Sequence, residues 1–253
     1  MQKIGMCLLL ACLLLAGPVM AGSDGKLWQE ANDAYRRKDY GTAVSLYEKL
    51  IANEAVSADL YYNMGNACYR LNRLGEALLW YERALRLQPS NADIRANIAF
   101  VNSQTVDQME VLPELFLKRW FSALRNLFSQ KGWAVFSILC ALLFFIVLAF
   151  FLLAGDLRRR VRLLVLDGCL LLLLALGVGM AFAQKRALER TDEAIVTALS
   201  VSVRSMPDAS GTELFTVHEG MKVRLTDEVG EWVEVQFPNG SKGWVLSRQL
   251  TVI

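Results

Sequence analysis

Two stretches of the chain repeat one another at an interval of 34 residues. Asn32, Tyr35, Arg36, Ala43, Tyr47 and Glu48 return as Asn66, Tyr69, Arg70, Ala77, Tyr81 and Glu82. Ala31 corresponds to Gly65, Trp28 to Tyr62 and Ile51 to Leu85. A fixed period of this length, with small residues at set places, is the pattern of stacked helix pairs. In the second copy Gly65, Ala77 and Ala84 let two antiparallel helices approach, and Tyr69 and Tyr81 fill the space between them. The repeats occupy residues 24–57 and 58–91 of a region that runs to 112. A further helix over 92–105, capped by Asn91, is expected to cover the exposed end of the stack. Stacks of this kind present a concave surface that suits peptides or other proteins.

The rest of the chain has a different texture. Hydrophobic residues make up 54% of it, and the excess is concentrated in three places. The first follows Lys3 and ends in small residues, so residues 1–21 read as a secretory signal cut before Gly22. A second reading of the same segment takes Leu9-Leu10-Ala11-Cys12 as a lipoprotein box that leaves a lipidated Cys12. The other two runs, 133–154 and 163–183, are each long enough to cross a bilayer as a helix. Between them, 155–162 carries Arg158, Arg159, Arg160 and Arg162 and reads as a short cytoplasmic turn. With the signal sending the repeats outward, both soluble regions face the periplasm from a bacterial inner membrane.

Residues 113–132 form an amphipathic segment. Leu117, Trp120, Phe121, Leu124, Leu127 and Phe128 share one helical face, opposite Lys118, Ser122, Arg125 and Ser129. Such a helix either lies in the bilayer interface or packs against the repeats. Within the second span Ala175, Gly179 and Ala183 recur every four residues, with Gly177 and Ala181 beside them. They can meet a counter-surface of Ser137 and Ala141 on the first span. Asp167 is an acid within the spans, read either as snorkelling or paired to nearby arginines, or as a proton site. Cys68 falls at a packing position of a repeat helix, which suits a buried thiol.

After Arg190 short alternating strands with Gly, Pro and Asn turns predict a small all-β barrel over 194–253. From Asp192 onward nine acidic residues face five basic ones, which disfavours nucleic acid and anionic wall polymers as partners. A catalytic site is hard to build. His218 is the only histidine, no nucleophile stands near it, and it reads as a solvated edge residue. No Cys/His cluster has zinc spacing and no Gly-rich loop precedes a helix, so no cofactor or metal is expected. Trp232 and Trp244 are either framework of the barrel or a ligand platform.

The period and the Tyr62, Gly65, Tyr69, Ala77, Tyr81, Ala84, Pro89 set resemble the tetratricopeptide repeat. Val203-Arg204-Ser205 with Pro207, Glu219-Gly220, residues 231–235 and Gly243-Trp244-Val245 resemble a bacterial SH3 domain. Together they describe a multidomain membrane protein: all-α helix pairs, two transmembrane helices and a C-terminal SH3-like barrel. That order, with the stretch 90–105, is similar to the E-type proteins of the bacterial aerotolerance (Bat) operon. The resemblance implies a non-enzymatic scaffold in an envelope complex, with von Willebrand-type membrane proteins among its partners. An alternative is a wall anchor or sensor whose barrel binds peptidoglycan peptide. The repeat geometry would turn Trp28, Asn32, Arg36, Tyr62, Asn63, Asn66, Arg70 and Asn97 into the hollow, with Tyr35 and Tyr69 either there or in the core. Some tetratricopeptide repeats grip a terminal carboxylate with asparagines and lysines. Asn32 and Asn63 stand where such asparagines would, but Trp28 and Asp93 replace the lysines.

Overall fold

The computed structural model describes residues 23–109 and 115–253. The expected signal, its Cys12 alternative, and residues 113 and 114 of the amphipathic segment lie outside them. The chain divides into two compact units, the first ending at Val56 and the second comprising Ser57–Ile253.

The first unit is a helix pair, α1 (Ser23–Arg36) and α2 (Tyr40–Ala52). Asp39 caps α2 by accepting the Thr42 amide at 3.2 Å, which satisfies one of the unpaired N–H groups of the first turn. Ala31, Ala34, Ala43, Val44, Tyr47 and Leu50 are buried. The Tyr47 hydroxyl donates to Asn32 Oδ1 at 2.8 Å, and its ring lies 5.9 Å from that of Trp28.

The second unit opens with the same motif. Ser57 caps α3 (Ala58–Arg70) through the Leu60 amide at 3.1 Å, and α4 (Leu74–Leu87) returns antiparallel to it. The Tyr81 hydroxyl donates to Asn66 Oδ1 at 2.7 Å, the counterpart of the Tyr47–Asn32 bond. The inter-helix turns also correspond: Lys38 and Asn72 both adopt left-handed backbone, with φ of 66° and 59°. Cys68 is buried, at its expected packing position. α5 (Ala92–Asn102), capped by Asn91, follows and ends short of the expected residue 105.

Three helices come next: α6 (Phe116–Arg125), α7 (Gln130–Leu153) and α8 (Leu157–Leu188). α7 and α8, with 24 and 32 residues, are long and apolar enough to cross a membrane. The turn between them is tighter than 155–162. Asp156 caps α8, so Arg158, Arg159, Arg160 and Arg162 stand on its first turns rather than in a loop. Ser137 provides the counter-surface as read, but the small residue opposite it is Gly177 and not Gly179. A Cβ at Gly177 would fall 2.6 Å from Ser137 Oγ, whereas one at Gly179 would meet nothing within 4 Å. Asp167 is 5% exposed, and its Oδ1 has no hydrogen-bond partner among the described residues. No residue of α6 is buried, and Phe116, Leu117 and Trp120 are 63–75% exposed. Packing against the repeats is therefore not what holds its apolar face.

The remaining residues form one antiparallel sheet. Its strands are β1 (Glu193–Val196), β2 (Ser200–Arg204), β3 (Glu213–His218), β4 (Lys222–Val229), β5 (Trp232–Gln236), β6 (Lys242–Leu246) and β7 (Leu250–Val252). They run in the order β3-β2-β6-β5-β4-β1-β7. Residues from β1 to β6, among them Val196, Val203, Val217, Val223, Val235 and Val245, meet in one core, which requires the sheet to curl. Strand alternation then decides between the two readings of the tryptophans. Val233, Val235 and Val245 are buried, so Trp232 and Trp244 project from the opposite face and stay half-buried outside the core. Register sets Trp232 beside Leu246 and Trp244 beside Glu234, placing the two indoles diagonally on that outer face.

The second helix pair depends on close approach at one glycine. A Cβ at Gly65 would lie 2.7 Å from the Tyr81 ring and 3.2 Å from the Ala77 carbonyl. Gly65→Ala is expected to cost about 1–3 kcal/mol through overpacking. Gly41→Ala, where a Cβ meets nothing within 4 Å, is expected to be neutral or to stabilise by up to about 1 kcal/mol. Thermal melts of the detergent-solubilised variants measure both.

Candidate functional site

The expected hollow residues do not all behave alike. In the first unit Asn32 accepts the Tyr47 hydroxyl, Trp28 is half-buried against the Tyr47 ring, and exposed Arg36 pairs with Asp33. In the second unit Asn97 Nδ2 donates to both the Tyr62 hydroxyl at 3.1 Å and Asn66 Oδ1 at 3.2 Å. Asn66 Oδ1 also takes the Tyr81 hydroxyl, so both its lone pairs are used. Tyr62, Asn66 and Asn97 are thus brought together as a polar tie across α3, α4 and α5. Asn63 is half-buried and Arg70 exposed on the same α3 helix. Of the two tyrosines read as core or hollow, Tyr69 is half-buried, packed edge-on to Phe100 and bonded to Gln104, and Tyr35 meets Tyr40 edge-on.

A second constellation was not read from the sequence. α4 has no side-chain cap of its own, and its Gly75 N–H is met at 2.9 Å by Glu219, which stands after β3. A Cβ at Gly75 would press on the Val196 carbonyl at 3.1 Å, so glycine permits the helix to approach the sheet. Gly220, at φ +91°, has Leu78 and Thr105 at 2.9 and 2.8 Å from where its Cβ would be. Arg83 donates to the Val252 carbonyl at 2.6 Å, and Arg86 donates to the carbonyls of Ile253 and Arg190 at 2.6 and 2.7 Å. Lys222 bridges Glu82 and Glu193, both at 3.0 Å, and Arg86 approaches Glu193 at 3.7 Å. Leu79, Ile195 and Ile253 form a small apolar cluster beside this network.

His218, expected to be a solvated edge residue, belongs to the same seam. Its Nδ1 lies 3.0 Å from Asp107 Oδ1, and its backbone N–H donates to Asp107 Oδ2. Asp107 follows α5, so it ties the end of the helical region to β3. Long-range pairings such as Glu82 with Lys222 leave no periodic trace, which is why the spacing of residues does not disclose them.

Residues 29–92 match the tetratricopeptide-repeat family, and residues 199–251 match the bacterial SH3 domain family. Both are typically non-catalytic binding domains, and they suggest protein or peptide binding. No curated protein matches the chain. A TPR repeats protein of known structure from Bacteroides fragilis is similar at 14% identity, covering 67% of this chain and 97% of its own. Its TM-score of 0.23 is too low to carry an argument.

The Lys222 bridge makes stability depend on pH. Burial opposes the charge on Glu193, but Lys222, Arg86 and Arg224 outweigh it and hold the carboxyl below its ordinary range. Burial likewise opposes the Lys222 ammonium, and Glu82 and Glu193 raise it above the ordinary lysine range. The depressed carboxyl contributes stability above its unfolded pKa and loses it as pH falls through the folded value. The raised ammonium contributes fully below its unfolded pKa and loses its share only as pH rises through the higher folded value. The melting temperature is therefore expected to fall below about pH 5, and Glu193→Gln to flatten that fall. Lys222→Met, which leaves two carboxylates facing one another, is expected to cost about 1–2 kcal/mol at pH 7, discounted because Lys222 is 38% exposed.

Proposed function

We propose that the chain is a non-enzymatic scaffold, held in the bacterial inner membrane by α7 and α8, that gathers protein or peptide partners through its repeats and its SH3-type domain. The observation that supports it best is the seam between α4 and the sheet. A cap, two glycine approaches, three arginine–carbonyl bonds and the Lys222 bridge bind the second repeat to the β-domain. Two binding modules held this way present their surfaces together rather than on independent tethers. Partner-binding residues are assigned in each repeat separately: Trp28 and Arg36 in the first, and Tyr62, Asn63 and Arg70 in the second. Asn32, Asn66 and Asn97 support them through their bonds to Tyr47, Tyr81 and Tyr62. The resemblance to the E-type aerotolerance proteins supports reading the setting as a periplasmic envelope complex with von Willebrand-type membrane proteins.

A second reading has its own observation. The outer-face pair Trp232 and Trp244 can stack a peptide, which suits a peptidoglycan stem peptide and a wall anchor.

Crosslinking in living cells, followed by detergent purification and mass spectrometry, separates the two. Recovery of membrane proteins that are lost with Asn63→Ala/Arg70→Glu is the scaffold's expected result. Recovery of wall fragments that survive that variant but vanish with Trp232→Ala/Trp244→Ala would replace it with the wall anchor. Protease added to spheroplasts is expected to cleave both the repeats and the β-domain, and protection of both would place them in the cytoplasm.

A further inference from the structure

A cavity of about 620 Å³ opens where α4, α6, the last turns of α8 and the start of the sheet meet. Five cationic and three acidic side chains line it. Two of the acids, Glu82 and Glu193, are engaged by Lys222, and the third, Asp192, is approached by Arg190 at 4.0 Å and Arg224 at 3.9 Å. Positive charge is left over. Arg125 turns its Nε to the amide oxygen of Asn126 at 3.1 Å rather than to a carboxylate. Burial disfavours its guanidinium and Arg190 repels it, with Glu193 as the opposing influence. Two arginines that repel one another at a shared cavity are relieved by an anion between them.

Gln184 supplies an independent sign of a ligand. It is 3% exposed, it lines the same cavity, and its Oε1 has no hydrogen-bond partner among the described residues. A buried amide oxygen left without a donor costs about 1–3 kcal/mol, so it is placed to accept from a hydroxyl or ammonium group. Leu127, Ala187 and Leu188 add an apolar side.

The position of the cavity narrows the source. Leu127 lies just before α7 begins at Gln130, and Gln184 to Leu188 are the final turns of α8. These are the ends of both spans on one side of the bilayer, where phospholipid headgroups lie. The geometry points to a phosphate-ester site in this cavity, with Arg125 and Arg190 taking the phosphate, Gln184 Oε1 accepting from a headgroup hydroxyl or ammonium, and Leu127 and Leu188 meeting the start of an acyl chain. The lipid source rests on the membrane reading above, while the phosphate chemistry does not.

The test uses the full chain in dodecyl maltoside, with dioleoylphosphatidylglycerol binding followed by native mass spectrometry. Wild type is expected to hold one lipid, and Arg125→Gln/Arg190→Gln to bind it roughly tenfold or more weakly. Gln184→Leu tests the second contact without changing charge, and its expected effect is a several-fold loss. Arg248→Gln, in the short turn before β7, is the unchanged control. Wild-type binding by the double arginine variant, or equal binding of dioleoylglycerol without phosphate, would overturn the site. Soluble glycerol 3-phosphate is the second arm: displacement at equal concentration assigns the site to a free phosphate ester, and failure to displace assigns it to lipid. Carbonate extraction of cell membranes is read separately. Release of the chain would end the membrane reading, while phosphate binding through Arg125 and Arg190 would stand.

Discussion

Lys222 holds two carboxylates that would otherwise repel each other, and the second unit is organised around that fact. Glu82 belongs to a repeat helix and Glu193 to the first strand, so one ammonium joins two modules that each have their own apolar interior. Apolar contact at this seam includes the cluster of Leu79, Ile195 and Ile253 and the approach of Leu78 to Gly220. Specific polar contacts carry the orientation. Glu219, which caps the N-terminal end of α4, matters for the same reason: a helix that lacks its own cap is incomplete until the sheet arrives. Gly75 and Gly220 then set how near the two backbones come.

The periodic parts of this fold were legible in the sequence, because period and burial are the same information. Small residues at Gly65 and Ala77, the tyrosines at 47 and 81, the apolar runs and the alternating strands each announce an element whose side chains face one way. The misreadings are of facing rather than of type. Gly177 and Gly179 are two residues apart on one helix, and only the rotation of α8 against α7 decides which meets Ser137. Trp232 and Trp244 were open between core and surface because aromatic residues suit both. Strand register resolves them, since their neighbours Val233 and Val245 are the ones turned inward.

The candidate hollow shows a further limit. Repetition at Asn32 and Asn66 signals a shared role, but repetition alone does not say whether that role faces a ligand or the fold. In each repeat the asparagine accepts the hydroxyl of the tyrosine fifteen residues on, so the pair is conserved between copies as a structural tie. Asn63 has no equivalent asparagine in the first repeat, where Gln29 stands at the matching position. The asparagine–tyrosine pairs that recur answer to the packing common to both copies, whereas a position that differs between copies, such as Asn63, is freer to serve a particular partner.

The same reasoning bears on the charged groups near the spans. Arginines at the start of α8 and cations at its end give this helix a basic residue at both ends, so charge alone does not orient it. The soluble modules distinguish the ends. At the end bearing Lys185 and Arg186, α8 leads through Arg190 directly into β1, and the Arg190 carbonyl is bonded by Arg86 of α4. α6 arrives at this same end, with its apolar face exposed and its Arg125 turned toward the cavity. Helical repeat, sheet and spans thus converge at one end of α8, while the other end carries only the tight turn at Ala154–Asp156. Within the second unit, an asymmetry of this kind gathers the repeat helices and the sheet at one end of the two long apolar helices.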